Sequence, residues 1–482
     1  MTAEIRINTF SVFLSIPFKL IGLLHQLLLK IFPPSSSLKR TGNIYVETLG
    51  LAGLFLFLIN INLSGSLNEN GETMLIIAFL LSLCYWGKVL IRQPLFWLTL
   101  AFAVSLVIST MIGMENFPES RHKSEAKRMA RLCLFVPLAW WIGANFVSIR
   151  NAFLIVCTGF IISSLWMLDW DTLSPLLEGT RAQSNITGLG AGDFGAWYGF
   201  MLMGFGILGK ELLPDWLKKN RAGLMGYIFF VLIILFLLTG LYVSFWRTGW
   251  IAATLTLALG LSIRYHVSFK DKQTSFKNFM FPALVVVLLL FFVASKFEVI
   301  KNRFLSEGAT VTHVISGHWD QVEKGSLAQR FLMYKWAFET ESFVTAFGWG
   351  PRSIQAISRN EELNEELQWN PARGHLHNDL LSITFRTGIL GASIFFLIFF
   401  FLARGTYIGY REKVIPKAFY TFFMMCVLYS LIIGLATVTF RMHVFLPVWM
   451  GLIFASIIGR HNNEDTHTNV RSYFLMVQKD RF

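Results

Sequence analysis

Apolar runs of close to 20 residues recur along the chain, separated by short polar turns. They fall at 44–63, 73–91, 95–112, 131–148, 151–168, 192–209, 224–243, 247–264, 279–295, 380–403, 416–437 and 441–459. A helix of roughly 20 apolar residues is what a bilayer core requires, so the pattern predicts about twelve transmembrane helices. The turn SIRN (148–151) is the only divider within 131–168. An additional apolar stretch, Phe10 to Phe32, is interrupted by Pro17, Lys19 and His25 and is followed by no small-residue cleavage site. It reads as an amphipathic helix on the membrane surface rather than a signal peptide.

Polar segments divide the chain further. The predicted organisation is an interfacial N-terminal segment (1–43), nine helices (44–295), a large loop (296–379), three helices (380–459) and a tail (460–482). Loops 209–223, 263–278 and 404–417 are rich in Lys and Arg, while 64–72 has neither. The positive-inside rule then puts both termini in the cytoplasm and the large loop outside. ESRHKSEAKRMAR (119–131) is basic yet falls outside, and its mixed signs at helical spacing predict an amphipathic interfacial helix. Within the large loop, Leu327, Phe331, Tyr334 and Phe338 recur at i, i+4, i+7 and i+11, which predicts a helix with Arg330 at the edge of that face. GWGPRS (348–353) reads as a turn and NEELNEELQWN (360–370) as an acidic helix.

Composition agrees with a chain solvated by lipid. Of 482 residues, 54% are hydrophobic and only 15% charged, more apolar surface than a water-soluble fold could bury. The fold class expected is therefore an all-α polytopic membrane protein. The net charge of +13 fits loops against anionic headgroups and an anionic substrate, not nucleic acid. Cys84, Cys133, Cys157 and Cys426 lie in apolar runs without metal-ligand spacing and read as small core residues.

The candidate chemistry lies toward the outer face. Arg181, Arg247, Arg330, Arg352, Arg373, Arg386 and Arg441 all fall at or near it, and Arg386 sits seven residues into a membrane helix. That places it about 10 Å deep, where a charge needs a polar cavity or a partner. Guanidinium forks suit phosphate oxygens, so a cavity ringed by arginines suggests a lipid phosphate or diphosphate. His375 and His377 are followed by Asn378 and Asp379 just where the long loop re-enters the membrane. Either Asn378 or Asp379 can cap the helix, and a neutral imidazole there can take a proton from a hydroxyl near pH 7. A metal would want a third ligand such as His313 or His318, and the spacing gives none. Four glycines between 188 and 195 suit either a backbone approaching a ligand or close helix packing.

Taken in order, these segments resemble the O-antigen ligase superfamily, which includes Wzy-type polysaccharide polymerases and bacterial protein O-oligosaccharyltransferases. The resemblance rests on Arg181 before a glycine-rich helix start, Arg-Thr-Gly-Trp at 247–250, Arg330…Trp336 followed by GWGPRS, and HLHNDLL…RTGILG at 375–391. Gly-Ala-Gly-Asp at 190–193 and Trp246 before Arg247 depart from the family's usual residues. The resemblance implies a fold of the C-type glycosyltransferase kind in the bacterial inner membrane, working on the periplasmic side without cofactor or metal. It implies a donor glycan on undecaprenyl diphosphate and an acceptor hydroxyl on the lipid A core or a growing glycan. His377 would be the general base, and Arg247 and Arg330 would neutralise the diphosphate. Arg181, His375, Asn378, Arg386 and Arg441 would orient substrate. A Wzy-type O-antigen or exopolysaccharide polymerase, and then an anionic-lipid transporter, are the alternatives.

Overall fold

The computed structural model describes residues 18–34, 42–61, 66–166, 191–212, 221–244, 246–270, 308, 310–318, 326–339, 345–357, 376–439 and 444–458. A few helix-end side chains within these ranges, Arg247 among them, are not described. Every regular element among the described residues is helical. In order these are α1 (Phe18–Ile31), α2 (Ile44–Ile59), α3 (Ser66–Trp86), α4 (Lys88–Ile91), α5 (Pro94–Asn116), α6 (His122–Ala130), a 3-10 turn (Arg131–Leu134) and α7 (Phe135–Ile142). They continue as α8 (Phe146–Trp166), α9 (Ala191–Leu212), α10 (Arg221–Val243), α11 (Arg247–Lys270), α12 (Ser326–Glu339), α13 (Ser353–Ile357), α14 (Asp379–Arg411), α15 (Lys417–Gly434) and α16 (Phe445–Ile458).

Helices occupy eleven of the twelve expected positions, and the twelfth, 279–295, lies outside the described residues. Pro94–Asn116, Phe146–Trp166, Asp379–Arg411 and Lys417–Gly434 are the four described helices long and apolar enough to cross a membrane. The segment 131–148 is not one helix. Its 3-10 turn and α7 stop at Gly143, whose φ of 73° only glycine adopts readily. The Asn145 side chain then accepts from the Val147 N–H at 2.9 Å and starts α8. The divider is therefore Gly143–Asn145, and the SIRN residues lie inside α8. Likewise α14 runs on to Arg411, so most of the expected loop at 404–417 is helix. As expected, 122–130 is a helix, α6.

The packing is that of a body surrounded by hydrocarbon. Along α5, Trp97, Leu100, Val104, Val107 and Met111 are exposed, whereas Thr99, Ser105, Ser109 and Gly113 are buried. An outward face more apolar than the inward one is destabilising in water and natural in lipid. Small residues let the helices close: a Cβ on Gly199 would stand 2.1 Å from the Tyr429 hydroxyl oxygen, and one on Gly204 would stand 2.1 Å from the Phe153 ring. For Gly195 the obstacle is the Trp246 ring at 2.6 Å, which favours close packing for that glycine.

Contacts sort the loops into two ends. At one end Arg264 of α11 pairs with Glu211 of α9 at 3.0 Å, and Lys417 donates to the Arg264 carbonyl at 2.6 Å. Here α1 lies across the starts of α2 and α8, with His25–Glu47 at 3.3 Å and Asn151 donating to Ile31 at 2.7 Å. At the other end Arg131 pairs with Glu72 at 3.2 Å, and there α6, the segment 345–357 and the start of α14 come together.

Candidate functional site

The site begins where the chain turns into α14. Asn378 has extended backbone (φ −152°, ψ 127°), and its Oδ1 accepts from the Leu381 N–H at 3.1 Å, so Asn378 is the cap. Its Nδ2 donates to the Leu435 carbonyl at 3.4 Å. Asp379, the other candidate for capping, is buried and faces across to the turn after α15. It accepts from the Thr439 N–H at 2.7 Å and from the Thr439 hydroxyl. A carboxylate in this position satisfies two donors that would otherwise be stranded at low dielectric.

His377, directly before the cap, is half-buried and left-handed, with φ +50°. Histidine tolerates that region better than most side chains, yet the conformation still costs about 1 kcal/mol and persists only where neighbours enforce it. One neighbour is Tyr334 of α12, whose hydroxyl donates to the His377 carbonyl at 3.3 Å. Burial pushes the Tyr334 phenol above its usual range, partly offset by the nearby Arg330 guanidinium, so it stays protonated and able to donate. Arg330 is one helical turn before Tyr334 and is half-buried.

The face of α12 that packs is not the one the spacing suggested. Ala328, Met333, Trp336 and Ala337 are buried, whereas Phe338 is 64% exposed. Leu376, Leu381, Phe385 and Ile354 form the surface that α12 meets, and Trp336 stacks on Phe385 with centroids 5.6 Å apart. Apolar residues cover both faces of this helix, so the tertiary partner rather than the period chooses the buried stripe.

Two turns below, α14 is broken. Gly388 has φ 71° and ψ −177°, which interrupts the helical ladder. The segment 345–350 fits into the break. Trp349 and Gly350 donate N–H groups to the Phe385 and Arg386 carbonyls at 3.0 Å each, while Ile389 and Leu390 donate to Thr345 and Ala346 at 2.9 and 3.2 Å. Gly348 and Gly350 carry positive φ (72° and 102°), and a Cβ on Gly348 would stand 2.4 Å from the Arg386 carbonyl group. The GWG motif is thus a patch that satisfies backbone groups freed by the RTGILG motif.

Arg386 is committed to an ion pair. It is 1% exposed, and its Nη1 donates to Glu125 of α6 at 2.7 Å. Glu125 also meets the exposed Arg128 at 3.6 Å. Beside this pair the buried His122 accepts the Arg352 N–H on Nδ1 at 3.3 Å and stacks on Phe117. Burial, and then the positive charge of Arg352, lower the His122 pKa, so its neutral form is favoured.

Of the residues singled out in the sequence, His377, Asn378 and Arg330 are therefore brought around Tyr334 and the start of α14, while Arg386 is engaged by Glu125. Arg247 is the first residue of α11, close after the end of α10 at Val243, and its side chain is not described. Arg181, His375 and Arg441, like the acidic stretch 360–370, lie outside the described residues. Tyr334, His122, Glu125 and the Asp379–Thr439 contact were missed. The mixed-charge run 119–131 was the one signal for Glu125, because a buried arginine calls for a carboxylate somewhere.

Residues 229–396 match the family model described as O-antigen ligase, which bears out the resemblance seen in the motifs. A Rickettsia conorii protein described as a candidate polysaccharide ligase is 25% identical over 215 residues, 40% of this chain and 51% of the relative. A Rickettsia felis protein of the same description is 22% identical over 171 residues, 31% of this chain and 41% of that one. The chain spans about half the length of the curated relatives it matches.

Proposed function

Taking the O-antigen ligase family as the premise, we propose that this protein is a metal-independent inverting glycosyltransferase of the bacterial inner membrane. It moves a glycan from undecaprenyl diphosphate to an acceptor hydroxyl on the periplasmic face, in an assembly of about twelve membrane-spanning helices. His377 takes the acceptor proton. The acceptor oxygen forms a bond to the anomeric carbon as the bond from that carbon to the diphosphate oxygen breaks, with inversion. Arg247 and Arg330 neutralise the departing diphosphate, and preformed donors at the site of developing charge are the largest lever available to such a reaction. Arg181, His375, Asn378 and Arg441 orient the two substrates, and the acceptor is the lipid A core. Arg386, already engaged by Glu125, supports the fold beneath the site rather than holding the donor.

The observation that supports this reading is the junction through Tyr334. It joins the helix carrying Arg330 to the turn carrying His377, so that a cationic group and an imidazole share one rigid corner at a helix entrance. The test is glycan transfer by the purified protein from a lipid-diphosphate donor. His377→Ala is expected to lower transfer at least about a hundredfold, the usual worth of a general base, with donor binding retained. Transfer that survives His377→Ala would sink the assignment. A deletion strain would separate acceptors: accumulated lipid-linked polymer marks a ligase, and a single attached repeat marks a polymerase.

A further inference from the structure

We propose that Tyr334 is a positioning residue of the transfer site, its hydroxyl holding the left-handed His377 peptide in register with Arg330. The inference rests on the transferase reading above. Tyr334 ties α12 to the cap of α14: its hydroxyl donates to the His377 carbonyl at 3.3 Å. Asn378 is itself committed on both edges, to Leu381 N–H and to the Leu435 carbonyl. His377 has φ +50°, a conformation an L residue keeps only under constraint. On the other side, Arg330 precedes Tyr334 by one turn of α12, and helical neighbours at that spacing share a face. One phenol therefore fixes two relations. It selects the backbone rotation that aims the imidazole, and it sets the separation between that imidazole and the guanidinium helix.

The constraint acts on orientation, so its loss falls on the chemical step. Reacting groups must stay within a narrow geometry, and small misplacements lower turnover without weakening ground-state binding. The protonated phenol is the form able to donate, and its raised pKa keeps it so through the neutral range.

Tyr334→Phe in the full-length purified protein removes one oxygen and leaves the ring packing intact. With a lipid-diphosphate glycan donor, kcat is expected to fall about tenfold, the scale of one hydrogen bond, with donor KM within about twofold of the parent. The thermal midpoint is expected to stay within a few degrees, since the ring still fills its place. Turnover within about twofold of the parent would overturn the proposal. A donor KM that rises in step with the loss would also overturn it, placing the hydroxyl on the donor. Collapse of the thermal midpoint would make Tyr334 a scaffold residue and equally refute a positioning role. Parallel measurement of His377→Ala separates the two levels: if His377→Ala is inactive and Tyr334→Phe is silent, only the positioning role fails. If His377→Ala is active, the general-base assignment of His377 fails, and the positioning role built on it fails too.

Discussion

The Arg386–Glu125 pair offers a test in which the structure and the sequence give different answers. Read from the sequence, Arg386 lines a donor cavity. In the structure its side chain is 2% exposed and meets Glu125, 5% exposed, at 2.7 Å. Removing one member of such a pair strands the other charge, at a cost of about 3–5 kcal/mol. Replacing both by apolar side chains of similar volume is often neutral or better, because two desolvation penalties vanish together. Glu125→Leu and Arg386→Met should therefore each be severely destabilising, while the double variant should recover most of the loss. Arg128→Ala is the internal control: that side chain is 58% exposed and 3.6 Å from the same carboxylate, so it should cost less than about 1 kcal/mol. The assay is unfolding of the full-length protein in mixed micelles by an anionic detergent, followed by tryptophan fluorescence, with the parent, the two single variants and the double variant closed into a double-mutant cycle. Additive losses would refute the pairing. If Arg386→Met left stability unchanged and raised donor KM instead, the guanidinium would belong to the substrate.

Three further perturbations probe the surrounding contacts. His122 has its pKa lowered by burial and by Arg352, so the unfolded chain takes up a proton that the folded chain refuses. Its contribution to stability is full above about pH 6.5 and is lost as the pH falls toward the folded value; His122→Gln should flatten the acid side of a stability–pH curve measured between pH 7 and 5. Asp379→Ala removes both acceptors of Thr439 and should cost roughly 3 kcal/mol, with faster hydrogen exchange at the Thr439 amide as the local readout. Gly388→Ala would put a Cβ 2.3 Å from the Ala346 carbonyl oxygen at φ 71°, and should lose folded protein in a thermal assay, whereas Gly22→Ala, with open space around it, should not.

Much of the architecture was legible because lipid leaves few choices. A backbone in hydrocarbon must satisfy its own polar groups, so a run of about 20 apolar residues is read as a helix with little risk. What failed were decisions made by glycines. Gly143 and Gly388 end or break helices through positive φ, and nothing in a run of apolar letters separates such a glycine from one that merely packs, as Gly199 does. The buried stripe of α12 was misread for a related reason. In a chain this apolar the period of one face is diluted by apolar residues on the other, and Phe338 and Met333 are indistinguishable until a partner surface exists. At the site, local chemistry narrowed the cap to Asn378 or Asp379, and the choice of Asn378 came from the structure, where Asp379 turns to Thr439 instead. The partner of Arg386 was not legible, because Glu125 lies 261 residues away along the chain.

Under the proposed function, the break in α14 accounts for how His377 can serve as base at the entrance of a helix long and apolar enough to cross a membrane. An unbroken helix would tie the imidazole to every displacement of its lipid-facing portion, where Leu397 and Phe400 are exposed. Gly388 divides the element, and the two turns above it are held by other parts of the chain: Thr439 on Asp379, Trp336 on Phe385, the 349–350 amides on the freed carbonyls, and Glu125 on Arg386. Each attachment comes from a different segment, so the short helix is fixed from several sides. Charge burial, usually a cost, serves here as an anchor: Arg386 cannot leave Glu125 without giving up a buried 2.7 Å charge-assisted bond, and that bond ties the first turns of α14 to α6.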